Sequence, residues 1–124
     1  MLEELHFTGK QLFIATSKLE KFAAQIIEHF GFDKYIVQLK GADYKGDHAT
    51  KTTIISHLLE SRQLVPSKKI VMVGDTVFDI EGGNENGLTT IAVTYGFGKK
   101  EELQQAGPDF WADDVEELFQ ILLA

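Results

Sequence analysis

With 124 residues, the chain is long enough for one domain built on a single core. A net charge of −7, with Arg62 the sole arginine and no basic run interleaved with aromatics, argues against nucleic acid as a partner. The absence of cysteine removes disulfides, thiolate catalysis and cysteine metal sites and fits a reducing cytoplasm. No apolar run approaches the roughly 20 residues of a membrane span, and MLEELHFTGK has no signal pattern.

Met1 to Phe7 reads as the tail of an amphipathic helix, with Leu2, Leu5 and Phe7 inward and Thr8-Gly9 as its stop. Gln11 to Ala15 is an apolar run that predicts a buried strand ending at Thr16-Ser17. Ser17-Lys18-Leu19-Glu20 has capping-box spacing. The helix that follows places Leu19, Phe22, Ala23, Ile26, Ile27 and Phe30 on one face and stops at Gly31. Tyr35 to Leu39 predicts a short strand, and Gly41 to Ala49 a polar loop. A helix opening near Thr50 and fading near Leu64 would bury Ile54, Ile55, Leu58 and Leu59, and Pro66 sits in the turn after it. Lys69 to Val73 suits a strand buried on both faces, ended by Gly74. A helix from Val77 to Asn86-Gly87 follows, then the β-branched strand Leu88–Thr94 and the turn Tyr95–Gly98. Helix Lys99–Ala106, short strand Phe110–Trp111 and a terminal helix from Asp113 burying Val115, Leu118, Phe119 and Leu122 complete the chain. Strands alternating with helices argue for an α/β sandwich with a mostly parallel sheet and right-handed connections.

In such a sheet, ligands bind at the carboxyl ends of the strands. Three places qualify: Thr16-Ser17, the Gly41–Lys51 loop, and Asp75–Asp79. If the strand stops at Gly74, Asp75 sits in the crevice and Asp79 lies about one turn later on the same side. Two facing carboxylates repel, and a hard divalent cation, Mg²⁺ beside a phosphate, would compensate them. On the alternative reading, Asp75 caps the next helix and Asp79 is a solvated first-turn acid. Thr16 offers a hydroxyl and an N–H to an anion, or is a plain strand terminus. Lys51, in a first turn whose dipole prefers acids, serves an anion, pairs with Asp79, or is solvated. The histidines show no ligand spacing.

Taken together, the order of threonine after a strand, lysine at a helix start, then Gly-Asp-x-x-x-Asp after a strand resembles one family. It is the haloacid dehalogenase-like (HAD) phosphohydrolase superfamily, in its phosphoglycolate phosphatase/5′-nucleotidase-like branch. LFIATSK looks like the second motif, with Ser17 where asparagine is common. GADYKGDHATK resembles the loop to the third-motif lysine, with Lys45 where an acid is often found. VGDTVFDIEGGNENG looks like the fourth motif, and VTYGFGKKEEL with AGPDFWADDVEEL is similar to the branch's ending. The resemblance implies a three-layer Rossmann-like core. It implies catalytic roles for Thr16, Lys51, Asp75 and Asp79: phosphate held by Thr16, Ser17 and Lys51, and Mg²⁺ by Asp75 with Asp79 beside it. It also implies a small phosphorylated metabolite as substrate.

The family's nucleophile is the first aspartate of an Asp-x-Asp on the central strand, and this sequence contains no Asp-x-Asp. In the family, that strand and the helical cap precede the region matching Met1. The resemblance therefore implies the C-terminal part of a phosphatase core, without nucleophile strand or cap and inactive by itself. An alternative is a non-catalytic phosphate- or Mg²⁺-binding module that pairs with another chain, since strand edges left without a neighbour favour self-association. A phosphoacceptor receiver domain has a similar length, but there the acids precede the threonine and lysine.

Overall fold

The computed structural model describes Leu5 and residues 8–42, 50–96 and 98–123. The chain divides into two compact units, residues 1–62 and 63–124. The expected helix tail at Met1–Phe7 lies outside the described residues except for Leu5, which is 2% exposed. The Thr8 hydroxyl and the Lys10 N–H both donate to the Leu5 carbonyl, at 2.7 and 3.2 Å, and close that turn.

In the first unit, β1 (Phe13–Leu19) pairs in parallel with β2 (Gln38–Ala42). Phe13 lies opposite Gln38 and Ala15 opposite Lys40, but the register shifts before Leu19 meets Ala42. Thr16, Ser17 and Lys18 occupy that irregularity. The strand does not end at Thr16 as its apolar run suggested, because pairing resumes at Leu19. Helix α1 (Glu20–His29) consequently starts from Leu19, with no side-chain cap. That start lies two residues beyond the one the Ser17–Glu20 spacing predicts. Glu20 Oε1 accepts from the Gly41 N–H at 3.3 Å. The two strands are tight at this point: a Cβ on Gly41 would lie 2.7 Å from Glu20 Cα and 2.8 Å from the Lys18 carbonyl oxygen.

The periodicity of α1 does not translate into burial. Of the expected face only Ala23 is buried, while Phe22, Ile26 and Phe30 are 51%, 47% and 63% exposed. Phe30 stacks on Phe32 at 6.1 Å, and the edge of His29 meets Phe30. The expected strand at Tyr35 is displaced, because Asp33–Tyr35 form a 3₁₀ turn and β2 begins at Gln38. Most of the Gly41–Ala49 loop lies outside the described residues. Helix α2 (Lys51–Ser61) is capped by Thr50, whose hydroxyl accepts from the Thr53 N–H at 3.3 Å. It buries Ile54, Ile55, Leu58 and Leu59 as its spacing predicts, packing on both strands.

The second unit runs β3 (Val71–Gly74), α3 (Val77–Glu85), β4 (Thr89–Val93), α4 (Lys100–Ala106), β5 (Phe110–Ala112) and α5 (Val115–Leu123). Its sheet is parallel with order β3-β4-β5. The strand buried on both faces is β4, not β3: Thr90, Ile91 and Ala92 are 0–1% exposed, whereas Val71 is 39% exposed. β4 has a neighbour on each side, and β3 lies at the end of the order. Alternation along β4 divides the core. Ile91 and Val93 join Ala112 and Leu118 beneath α5, with Val73, Ile121 and Leu122 against them. Ala92 joins Ile80 of α3 and Leu103 of α4, with Ala106 and Trp111. Within α5, Leu118 is buried but Val115 is 50% exposed, since the helix starts there and its first turn faces outward. Gly107, at φ 74°, closes α4 in the left-handed region glycine favours.

At the amino end of β4, Thr90 ties three segments together. Its N–H donates to Asp109 Oδ2 at 2.9 Å, its hydroxyl to Asn84 Oδ1 at 3.0 Å, and the Asp109 N–H donates back to that hydroxyl at 3.2 Å. Thr90→Val would leave Asn84 Oδ1 short of its donor at a fully buried position, while the Asp109 N–H keeps its 3.0 Å bond to the Thr90 carbonyl. Urea denaturation should show a loss of about 1–3 kcal/mol. Phe22→Ser, a core loss by sequence periodicity, should instead change stability by no more than about 0.5 kcal/mol, because the ring is already half in water.

Candidate active site

Gly74 ends β3 and Thr76 is the N-cap of α3, so only Asp75 and Thr76 separate strand from helix. The turn is shaped by Asp79. Its Oδ2 accepts from the Asp75 N–H, the Thr76 N–H and the Thr76 hydroxyl, each at 3.1 Å. Asp79 is 6% exposed, so it is neither a solvated acid nor a side chain turned only to the crevice. It supplies the acidic half of a capping box at the helix start, where negative charge also suits the helix dipole. Asp75 is not the cap; it sits at the carboxyl end of β3, held through its own N–H. The Thr76-x-x-Asp79 spacing is the sequence signal for this arrangement, with aspartate in place of the commoner glutamate.

Three glycines crowd the two acids. A Cβ on Gly74 would fall on the Asp79 side chain, one on Gly96 on the Asp75 side chain, and one on Gly98 on the Asp75 carbonyl oxygen. Gly96 and Gly98 belong to the segment after β4, which the Thr94 N–H ties to the Ala112 carbonyl at 3.0 Å and the Thr94 hydroxyl to Asp113 Oδ1 at 2.7 Å. Next to it, the Tyr95 phenol is held above its usual value of 10.0, first by burial and second by the charge of Asp114. Sequence patterns read this segment only as a turn, because glycines needed for space look like glycines needed for flexibility.

In the first unit, Lys51 reaches from the first turn of α2 to β1, where its Nζ donates to the Ala15 carbonyl at 2.9 Å. That places the ammonium group next to Thr16 along the chain. The Thr16 hydroxyl accepts from the Lys18 N–H at 3.2 Å, so this amide is engaged locally. The Thr16–Lys18 segment is part of the irregular end of β1 and not the first turn of a helix, contrary to the helix-terminus geometry expected for it. The Ser17 side chain and Lys45 lie outside the described residues. Each pair of candidate residues is thus brought together inside its own unit: Thr16 with Lys51, and Asp75 with Asp79. Among the described residues, no three histidine, aspartate or glutamate side chains gather to hold a metal, and no helix is long and apolar enough to cross a membrane.

The sequence profile described as haloacid dehalogenase-like hydrolase matches residues 1–93. The chain belongs to the haloacid dehalogenase-like hydrolase family. Over 122 residues it is 37% identical to a 5'-nucleotidase of Pseudomonas aeruginosa, covering 98% of this chain and 55% of that protein. It is 33% identical over 121 residues to a phosphoglycolate phosphatase of Vibrio parahaemolyticus, covering 98% and 53%. A crystal structure of a predicted phosphatase from Clostridium acetobutylicum superposes with a TM-score of 0.94 at 37% identity, covering 98% of this chain and 56% of that one. This haloacid dehalogenase-like chain therefore has the α/β fold of the family and spans about half the length of the relatives it matches.

Asp79→Ala should cost about 1–3 kcal/mol in urea denaturation, since it strips an acceptor from two backbone N–H groups and a hydroxyl. Asp79→Asn, which keeps one oxygen acceptor, should cost less than the alanine change. Equal stability of wild type and Asp79→Ala would show that the carboxylate does not hold the turn.

Proposed function

We propose that the chain carries the phosphate- and Mg²⁺-binding half of a phosphomonoester hydrolase acting on a small phosphorylated metabolite. The observation that carries this reading is the Lys51 ammonium group held at Ala15 of β1, beside Thr16. A cation at the start of a helix works against the helix dipole, and that position is explained by an anion to be bound. Thr16, Ser17 and Lys51 hold phosphoryl oxygens, the threonine by its hydroxyl and the lysine as a point charge. Asp75 and Asp79 fit Mg²⁺ as hard oxygen donors, with Asp79 set beside Asp75 because its Oδ2 already accepts from three donors. Mg²⁺ commonly takes only one or two carboxylates, keeps several waters and completes its shell with phosphate. When bound, the ion would offset the phosphate's negative charge. The names of the relatives, 5'-nucleotidase and phosphoglycolate phosphatase, support phosphomonoesters as the substrate class.

Attack on phosphorus needs a nucleophile, and the resemblance assigns that to an Asp-x-Asp this sequence does not contain. The chain by itself is therefore a binder, with turnover requiring a segment that brings the nucleophile. Titration with inorganic phosphate should shift the Thr16 and Lys51 amide resonances. Lys51→Ala should weaken binding about 10-fold or more, the value of a charge-assisted hydrogen bond. A generic phosphomonoester with Mg²⁺ should show no turnover. Mg²⁺-dependent hydrolysis by the chain alone would overturn the division of labour.

A second reading is favoured by the strand order. Among the described residues, β1 pairs only with β2, and β3 only with β4. Strands with a bare edge recruit further strands, so the chain would self-associate or pair with another chain. Light scattering showing a monomer at all concentrations would count against it.

A further inference from the structure

We propose that Gly96 and Gly98 are positioning residues for Asp75, present so that the backbone after β4 forms a wall against its carboxylate and carbonyl. The role assigned to Asp75 rests on the Mg²⁺ reading above; the wall itself does not.

Among the described residues, the glycines with positive φ are Gly9, Gly31, Gly87 and Gly107; Gly96 is not one of them. The Gly96 backbone is therefore open to alanine, and at both positions space is what a Cβ lacks. A Cβ on Gly96 would overlap Cβ and Oδ2 of Asp75 and lie 2.6 Å from its Cγ. The far end of a side chain can swing aside, but Asp75 Cβ is fixed by its own backbone. A Cβ on Gly98 would overlap the Asp75 carbonyl oxygen and lie 3.0 Å from its carbonyl carbon and 3.2 Å from Thr76 Cα. Backbone on backbone leaves nothing flexible to yield.

The wall is anchored at both ends. Thr94 is bonded to Ala112 and Asp113 at the junction of β5 and α5. On the other side, the Lys99 carbonyl accepts the Leu103 N–H at 3.0 Å in the first turn of α4. Asp75 is held from the opposite direction as well, by its N–H on Asp79 Oδ2. The carboxylate thus sits between a capped helix start and a pinned loop, and its direction is set by backbone. Groups that orient a metal ligand in this way matter to affinity nearly as much as the ligand.

Two measurements test the inference. In a metal-free thermal cycle, Gly96→Ala should lower Tm, and the loss should largely vanish when Gly96→Ala is made in an Asp75→Gly background. Asp75→Gly removes the Cβ, Cγ and Oδ2 that the new methyl would strike. If Gly96→Ala does not fold alone, the double variant should. The same loss in both backgrounds, or a double variant that also fails to fold, would overturn the proposal. In the second measurement, Mg²⁺ is titrated while the Asp75 carboxyl carbon resonance is followed. Half-saturation in folded Gly96→Ala should need about 10-fold more Mg²⁺ than in wild type. An unchanged midpoint would overturn the link to the metal. A wild-type Asp75 resonance that ignores Mg²⁺ would instead remove the metal reading, while the thermal cycle would still decide whether Gly96 fixes Asp75.

Discussion

One carboxylate oxygen organises the second unit. Asp79 Oδ2 gathers the Asp75 N–H, the Thr76 N–H and the Thr76 hydroxyl, and so turns the chain sharply from β3 into α3. A buried carboxylate is costly unless its lone pairs are used, and here they are used on N–H groups that the helix start would otherwise leave without partners. Gly74 makes the arrangement possible, because any larger residue would occupy the volume of the Asp79 side chain. The position of Asp75 follows from this turn. The same oxygen that caps the helix holds the amide of the residue proposed to face the ligand.

The first unit solves a different problem. Lys51 brings a positive charge to the end of a helix that is already positive, and its ammonium group is stabilised by the Ala15 carbonyl at 2.9 Å. That bond ties the helix to β1 and holds a long, flexible side chain beside Thr16. A lysine held this way would lose little further freedom on meeting the proposed anion, and such preorganisation would favour binding.

Much of this was legible in the sequence where local and tertiary demands agree. The apolar spacing of α2 at Ile54, Ile55, Leu58 and Leu59 matches what the structure buries, and Gly74-Asp75 marks the strand end. It failed where a tertiary partner decides the outcome. Phe22, Ile26 and Phe30 have core spacing, but spacing says nothing of whether a surface lies opposite them. The extension of β1 to Leu19 depends on where pairing with β2 resumes, which no local pattern in β1 encodes. Ser17–Glu20 and Thr76–Asp79 both have cap spacing, and only the second lies at a true helix start. Gly96 and Gly98 were unreadable because their reason is the volume of Asp75, more than 20 residues away in sequence.

The open face of α1 has a consequence for how the chain behaves in solution. Phe22, Ile26 and Phe30 present an apolar strip to water, stacked through to Phe32, on a molecule with a net charge of −7. Like charge keeps such molecules apart only over the range of their fields, which salt cuts to about 8 Å at physiological ionic strength. Adding salt leaves the attraction between the strips intact while shortening the repulsion. Any association through α1 would therefore strengthen as salt rises.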